Sequence, residues 1–248
     1  MSISSPKDLE ALMRIGRIVG LTVREMKERV RPGMTTLELD AIGAAVFARF
    51  GARSAPRLVY NFPGDNCISV NDEAVHGIPG DRALRPGDVV KIDVTAELDG
   101  YVADAATTVA LAPAAKRKQQ LAACAESALH KAIGVARAGQ PIYAIGRAVE
   151  AEVTRRGFHV IPELCGHGVG RTIHEEPRFI PNYEDRRYNE NLTDGMVITI
   201  EPIIAAGAGH ITQDADGWTL RTIDGSPAAH AEHTIVVTKD RPIILTAV

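Results

Sequence analysis

Leu84-Arg85-Pro86-Gly87-Asp88-Val89-Val90-Lys91-Ile92-Asp93 returns 108 residues later as Leu192-Thr193-Asp194-Gly195-Met196-Val197-Ile198-Thr199-Ile200-Glu201. Both copies read Leu-x-x-Gly-x-Val-x-x-Ile-acid. Upstream of each lies a second correspondence: Arg31, Gly33 and Gly51 match Arg137, Gly139 and Gly157, each pair 106 residues apart. Chance could produce either match alone. Two matches at nearly one offset predict an internal repeat, roughly 31–111 and 137–238, and so two similar α/β halves. The acids that end the repeated segments, Asp93 and Glu201, then take equivalent places and face one another across a shared cleft.

Around the first copy, Leu84 to Leu111 reads as a β-hairpin. Its turn is Asp99-Gly100, a strong two-residue turn signal. That turn sets Leu98 opposite Tyr101 and Asp104 opposite Thr95. Side chains alternate along a strand, so Asp93 shares a face with Thr95. Asp93 and Asp104 become diagonal neighbours, about 7–8 Å apart. Two carboxylates this close repel unless a cation lies between them. Glu201 and Glu232 do the same in the second half, each interrupting a β-rich apolar segment where a lone buried carboxylate would be costly. Between Asp104 and Glu201 runs Cys165-Gly-His-Gly-Val-Gly-Arg-Thr-Ile-His-Glu-Glu-Pro177, with His167 and His174 seven residues apart. The glycines beside His167 let backbone or substrate approach it closely. Four acids and His167 make a binuclear metal site the economical explanation. Oxygen-rich ligation with one imidazole suits Mn(II), Fe(II), Co(II) or Zn(II). Two such ions about 3.5–4 Å apart activate a bridging water, which is hydrolytic chemistry.

The remainder bounds the reading. With 248 residues, 45% apolar and 24% charged, the chain has an ordinary globular composition, and a net charge of −3 offers no footprint for nucleic acid. No apolar run is long enough to span a bilayer, and the N-terminal residues do not read as a signal peptide. Three widely spaced cysteines (Cys67, Cys124, Cys165) fit a reducing compartment, and Cys165 is expected to be a small buried residue. A helix is expected from Ser5-Pro6 to about Arg31, with Leu9, Leu12, Met13, Val19, Met26 and Val30 on its apolar face. A second opens on the capping box Thr35-x-x-Glu38 and runs to Phe50. Further helices are expected over Lys116 to Ala138 and about Ile142 to Arg156, with strands and glycine-rich turns from Phe158 onward. Ser54 to Pro63 is read as mixed. His130, His210 and His230 match no motif and are expected at the surface. His233 points away from the face of Glu232 and is read as structural.

Taken together, Val75-His-Gly-Ile-Pro79, Ile92-Asp-Val94 with Asp104, Cys165-Gly-His-Gly-Val-Gly170, His174-Glu-Glu-Pro177, Thr199-Ile-Glu-Pro202 and Glu232-His-Thr234 resemble the type I methionine aminopeptidases over nearly the whole chain. The resemblance implies an α+β pita-bread fold: a single catalytic domain, 1–248, with two pseudosymmetric α/β halves around a binuclear metal cleft. It implies two divalent metal ions (Co, Mn, Fe or Zn) held by Asp93, Asp104, His167, Glu201 and Glu232. It implies that His76 contacts the scissile nitrogen, that His174 contacts its carbonyl oxygen, and that Glu201 also shuttles a proton. Phe62, Cys67 and Trp218 would line the methionine pocket, with His76 at its edge. The expected partners are the N-termini of nascent polypeptides at the ribosome, with no DNA and no membrane, for a cytoplasmic monomer. Two departures bear on the pocket: Ile173 replaces a common aromatic residue, and Val59 stands where a second pocket tyrosine often occurs. The alternatives are a proline-specific aminopeptidase or dipeptidase, a creatinase-like C–N hydrolase, and a non-catalytic binding module of the same fold. The first two usually carry a large N-terminal domain, and the third loses metal ligands; here all five ligand positions carry ligand-capable side chains.

Overall fold

The computed structural model describes residues 2–248. Helix α1 (Pro6–Arg29) starts on Ser5, whose hydroxyl accepts the backbone N–H of Asp8. Its buried face carries Leu12, Ile15, Val19 and Met26, while Met13, expected on that face, is exposed. Helix α2 (Thr36–Phe50) has the full capping box between Thr35 and Glu38 and ends on Gly51 in the left-handed region. A short helix, α3 (Ala55–Tyr60), occupies the stretch read as mixed, capped by Ser54 with Pro56 in its first turn. Helix α4 (Lys116–Val135) stops short of the expected Ala138. The backbone N–H groups of Ala138 and Gly139 are taken instead by the carbonyls of Thr238 and Leu192. Helix α5 is Tyr143–Arg155.

The strand Val89–Leu98 pairs with Tyr101–Ala110, Cys67–Val70 and Arg53–Ser54. Asp99 and Gly100 both have positive φ, as a tight hairpin turn requires, so Leu98 lies opposite Tyr101 and Asp104 opposite Thr95. In the second half, five strands follow in the order Ile243–Ile244, His233–Val236, Val197–Ile200, Cys165–Gly168, Glu175–Pro181. A three-stranded sheet of Ala228–His230, Ile203–Ala205 and His159–Val160 continues beside them. Helices α1 and α2 and the first-half strands enclose one apolar core, and α4 and α5 enclose a second with the strands of their own half.

The halves repeat each other at the level of single hydrogen bonds. Gly33 and Gly139 take φ 88° and 86°, Gly51 and Gly157 70° and 72°, Gly87 and Gly195 85° and 83°. Gly33 N–H donates to Leu84 O and Gly139 N–H to Leu192 O, both at 2.8 Å. The halves are joined along Tyr101–Ala110. Asp104 N–H donates to Thr234 Oγ1 (2.8 Å), Glu232 N–H to Ala106 O (2.9 Å) and His230 N–H to Thr108 Oγ1 (2.8 Å). This seam brings Asp104 of the first half beside Glu232 of the second.

Candidate metal centre

Between the halves lies a cavity of about 360 Å³, lined by Phe62, Cys67, His76, Asp93, Asp104, His167, His174, Glu201, Trp218 and Glu232. All ten residues singled out in the sequence therefore meet there. Tyr60, Glu163, Ile173 and His230 also line it.

The glycines flanking His167 serve backbone packing. A Cβ on Gly166 would sit 2.7 Å from Thr199 O, and one on Gly168 would collide with Glu176 O. The neighbouring strands thus clamp His167 on both sides. Its N–H donates to Thr199 Oγ1 (3.0 Å), whose hydroxyl donates to Glu201 Oε1 (2.8 Å). Burial holds the imidazole neutral, with its pKa lowered to about 3. Nδ1 lies 2.9 Å from Gly168 O, so the ring proton sits there and the Nε2 lone pair faces Glu201 Oε1 at 3.4 Å. A backbone carbonyl that fixes the tautomer in this way is the usual partner of a metal-binding histidine.

The acids are strained electrostatically. Burial raises Asp93 to about 7, with a hydrogen bond from Asp104 holding it down, and lifts Asp104, Glu201 and Glu232 well above the carboxylate range; repulsion from neighbouring acids lifts these last three further. Asp104 Oδ1 and Glu232 Oε1 are buried with no hydrogen-bond partner. Two donor sets fit a cation: Asp104, His167 and Glu232, and Glu201, His230 and Glu232. Orphaned carboxylate oxygens beside neutral imidazoles are the donor chemistry of a divalent metal, so the residues present fit one.

His230 corrects the sequence reading. It is 2% exposed rather than at the surface. Its ring faces Glu232 Oε2 (3.5 Å) and Glu201 Oε2 (3.8 Å), and neither ring nitrogen has a partner. His130 and His210 are exposed as expected, and His233 turns away to Thr246. Cys165 is half-buried and lines the cavity instead of sitting in a core. Burial pushes its thiol up to about 12, and burial with the neighbouring acids raises Cys67 well above its ordinary value. Neither cysteine is a nucleophile at neutral pH.

On the apolar side of the cavity, Phe62 and Trp218 meet edge to face with ring centroids 5.2 Å apart, and buried Cys67 lines the same cavity. Val59, 52% exposed, is not part of the cavity wall; the neighbouring Tyr60 is. Tyr60 Oη lies 2.6 Å from His174 Nδ1, and the His174 ring stands 4.3 Å from that of His167. His76 sits at φ 58°, a region rare for a non-glycine residue, and its place is fixed by Gly77 N–H donating to Ser69 Oγ (2.9 Å).

The buried acids make a stability prediction. Above about pH 7.5 an unfolded histidine is almost wholly neutral, as buried His76, His167, His230 and His233 already are in the fold, so these four contribute little slope. Asp104, Glu201 and Glu232, lifted well above the carboxylate range, hold protons in the metal-free fold that the unfolded chain has already lost, so stability falls as pH rises. Buried Lys91, lowered to about 7, acts in the opposite direction, but it is one group against three. The melting temperature in EDTA should fall between about pH 7.5 and 8.5. It should not fall with saturating Mn(II), which replaces those protons. A flat profile in EDTA would contradict the burial of uncompensated acids.

A profile of metallopeptidase family M24 matches residues 10–239. The chain is 47% identical to methionine aminopeptidase 2 of Bacillus subtilis (strain 168), over 99% of each chain. The crystal structure of methionine aminopeptidase from Thermotoga maritima superposes with a TM-score of 0.96 at 33% identity, covering 100% of both chains. A prolidase from Pyrococcus furiosus shares the fold at a TM-score of 0.77 and 22% identity, covering 99% of this chain but 65% of the prolidase.

Proposed function

The chain belongs to metallopeptidase family M24 and, within it, to the methionine aminopeptidases, and from that premise we propose that it removes the N-terminal methionine of nascent polypeptides whose second residue is small and uncharged. One observation carries this reading. Half-buried Asp93, buried Asp104, Glu201 and Glu232, and His167, drawn from both halves, line the same cavity as an apolar recess of Phe62, Cys67 and Trp218. The enzyme is a divalent-metal hydrolase. The proposed ligands are Asp93, Asp104, His167, Glu201 and Glu232, holding two ions drawn from Co, Mn, Fe or Zn. Bound there, the ions would lower the pKa of a water between them and polarise the scissile carbonyl.

The chain's own residues do the rest. The recess takes the flexible thioether of methionine by shape, as apolar pockets do. With the Tyr60 hydroxyl donating to Nδ1, the proton of neutral His174 sits on Nε2, where it donates to the developing oxyanion. His76 reaches the scissile nitrogen. Glu201 takes a proton from the attacking water and hands it to the leaving amine. Its carboxylate is oriented for this by Thr199. The substrate reaches the enzyme as a nascent chain at the ribosome in the cytoplasm, and the enzyme acts as a monomer on neither DNA nor membrane. Among the described residues, no helix is long and apolar enough to cross a membrane.

Protein stripped with EDTA and reloaded with Co(II) or Mn(II) should release methionine from Met-Ala-Ser. It should act at least 10²-fold more slowly on Leu-Gly-Gly and Ala-Pro, on the scale that misplacement by about 1 Å imposes. Preference for Ala-Pro would support the proline-specific alternative.

A further inference from the structure

His230 lines the cavity but belongs to none of the motifs and takes no part in the proposed chemistry. It ends the strand Ala228–His230, opposite Ile203, with its backbone held by Thr108. Two residues before Glu232, it is 2% exposed. A structural histidine at that depth would bond through at least one ring nitrogen, since an unpaired buried polar group is costly. Here Nδ1 and Nε2 both lack a partner.

The spacing of the surrounding oxygens accounts for this. Nε2 stands 3.5 Å from Glu232 Oε2 and 3.8 Å from Glu201 Oε2. These separations are long for hydrogen bonds. They match two donors on one ion, which lie about 3.4 Å apart when each is about 2.1 Å from a tetrahedral metal. On the other side of the same carboxylate, His167 Nε2 stands 3.4 Å from Glu201 Oε1. Each oxygen of Glu201 therefore faces a different imidazole.

We propose that His230 is a sixth protein ligand, which binds a divalent ion together with Glu201 and Glu232 and gives the centre an imidazole on each side. This rests on the reading of the acid cluster as a metal centre and adds a residue outside the five motif-derived ligands. A second nitrogen donor shifts an oxygen-rich site toward Co(II), Zn(II) and Fe(II) and away from Mn(II).

Calorimetric titration of EDTA-stripped protein with Co(II), with the d–d spectrum recorded alongside, tests this. Both His230→Gln and His230→Ala should weaken Co(II) binding by at least the roughly 10–100-fold seen for lost supporting partners of metal ligands. They should change the d–d bands and weaken Mn(II) binding less. Unchanged Co(II) isotherms and spectra in both variants would overturn the proposal. A companion measurement needs no variant. When Zn(II) is added to ¹⁵N-labelled wild-type protein, two imidazole Nε2 resonances, those of His167 and His230, should move to metal-bound shifts. Movement of His167 alone would overturn the assignment of His230 and leave the metal centre standing. Wild-type protein that takes up no divalent ion would overturn both.

Discussion

Asp104→Asn should yield a folded protein that binds divalent metal weakly and has lost turnover by about 10⁴-fold, the scale for disabling one member of an interdependent catalytic unit. Asp104 is 6% exposed, and its backbone N–H is fixed by Thr234. Asparagine keeps the shape and that anchor but removes the charge. Metal-free, the variant should be no less stable than the wild type, because buried Asp104 must take up a proton on folding and asparagine need not. The two effects separate a ligand from a scaffold residue. Metal analysis, kinetics and melting in EDTA on one preparation check them. A fully active Asp104→Asn protein without bound metal would contradict the proposed role.

The reach of sequence reasoning followed from which interactions were local. The Asp99-Gly100 turn fixes its hairpin by backbone dihedrals alone, so the Thr95–Asp104 register could be read without knowing anything else. The repeat was legible because Gly33, Gly87 and their counterparts hold positive φ that few other residues tolerate. Helix α3 escaped because it is six residues long, too short for a periodic pattern; Ser54-Ala-Pro56 was its only signal. Tyr60 escaped with it, since its partner His174 lies 114 residues away. The glycines beside His167 were read as room for backbone or substrate, and it is neighbouring backbone that occupies the room.

His230 was within reach. It stands two residues before Glu232, and residues two apart on a strand share a face. The same alternation correctly turned His233 away from the centre. What hid His230 was its absence from the motifs, because motif matching weighs only positions it already knows. The burial that makes it a candidate ligand comes from the contacts of Thr108 and Ile203, more than a hundred residues and one strand away respectively.

The other large effect concerns the second residue of the substrate. In the proposed complex, a peptide held at its scissile carbonyl by His174 and at its nitrogen by His76 would bring that side chain against the cleft wall. This wall is not soft. Glu73–Val75 is paired with Leu220–Thr222, His76 is held at positive φ, and Gly77 is anchored by Ser69. Glycine, alanine, serine, threonine, cysteine, proline and valine fit such a wall, whereas leucine or lysine would push the carbonyl out of place. Displacement by about 1 Å costs on the order of 10²-fold in rate. The decisive measurement is kcat/KM for methionine release from a Met-X-Ser series, with X running from Gly to Leu and Lys, on metal-reloaded enzyme. The expected result is Met-Ala-Ser exceeding Met-Lys-Ser by about 10²-fold or more. Comparable values for the two peptides would contradict it.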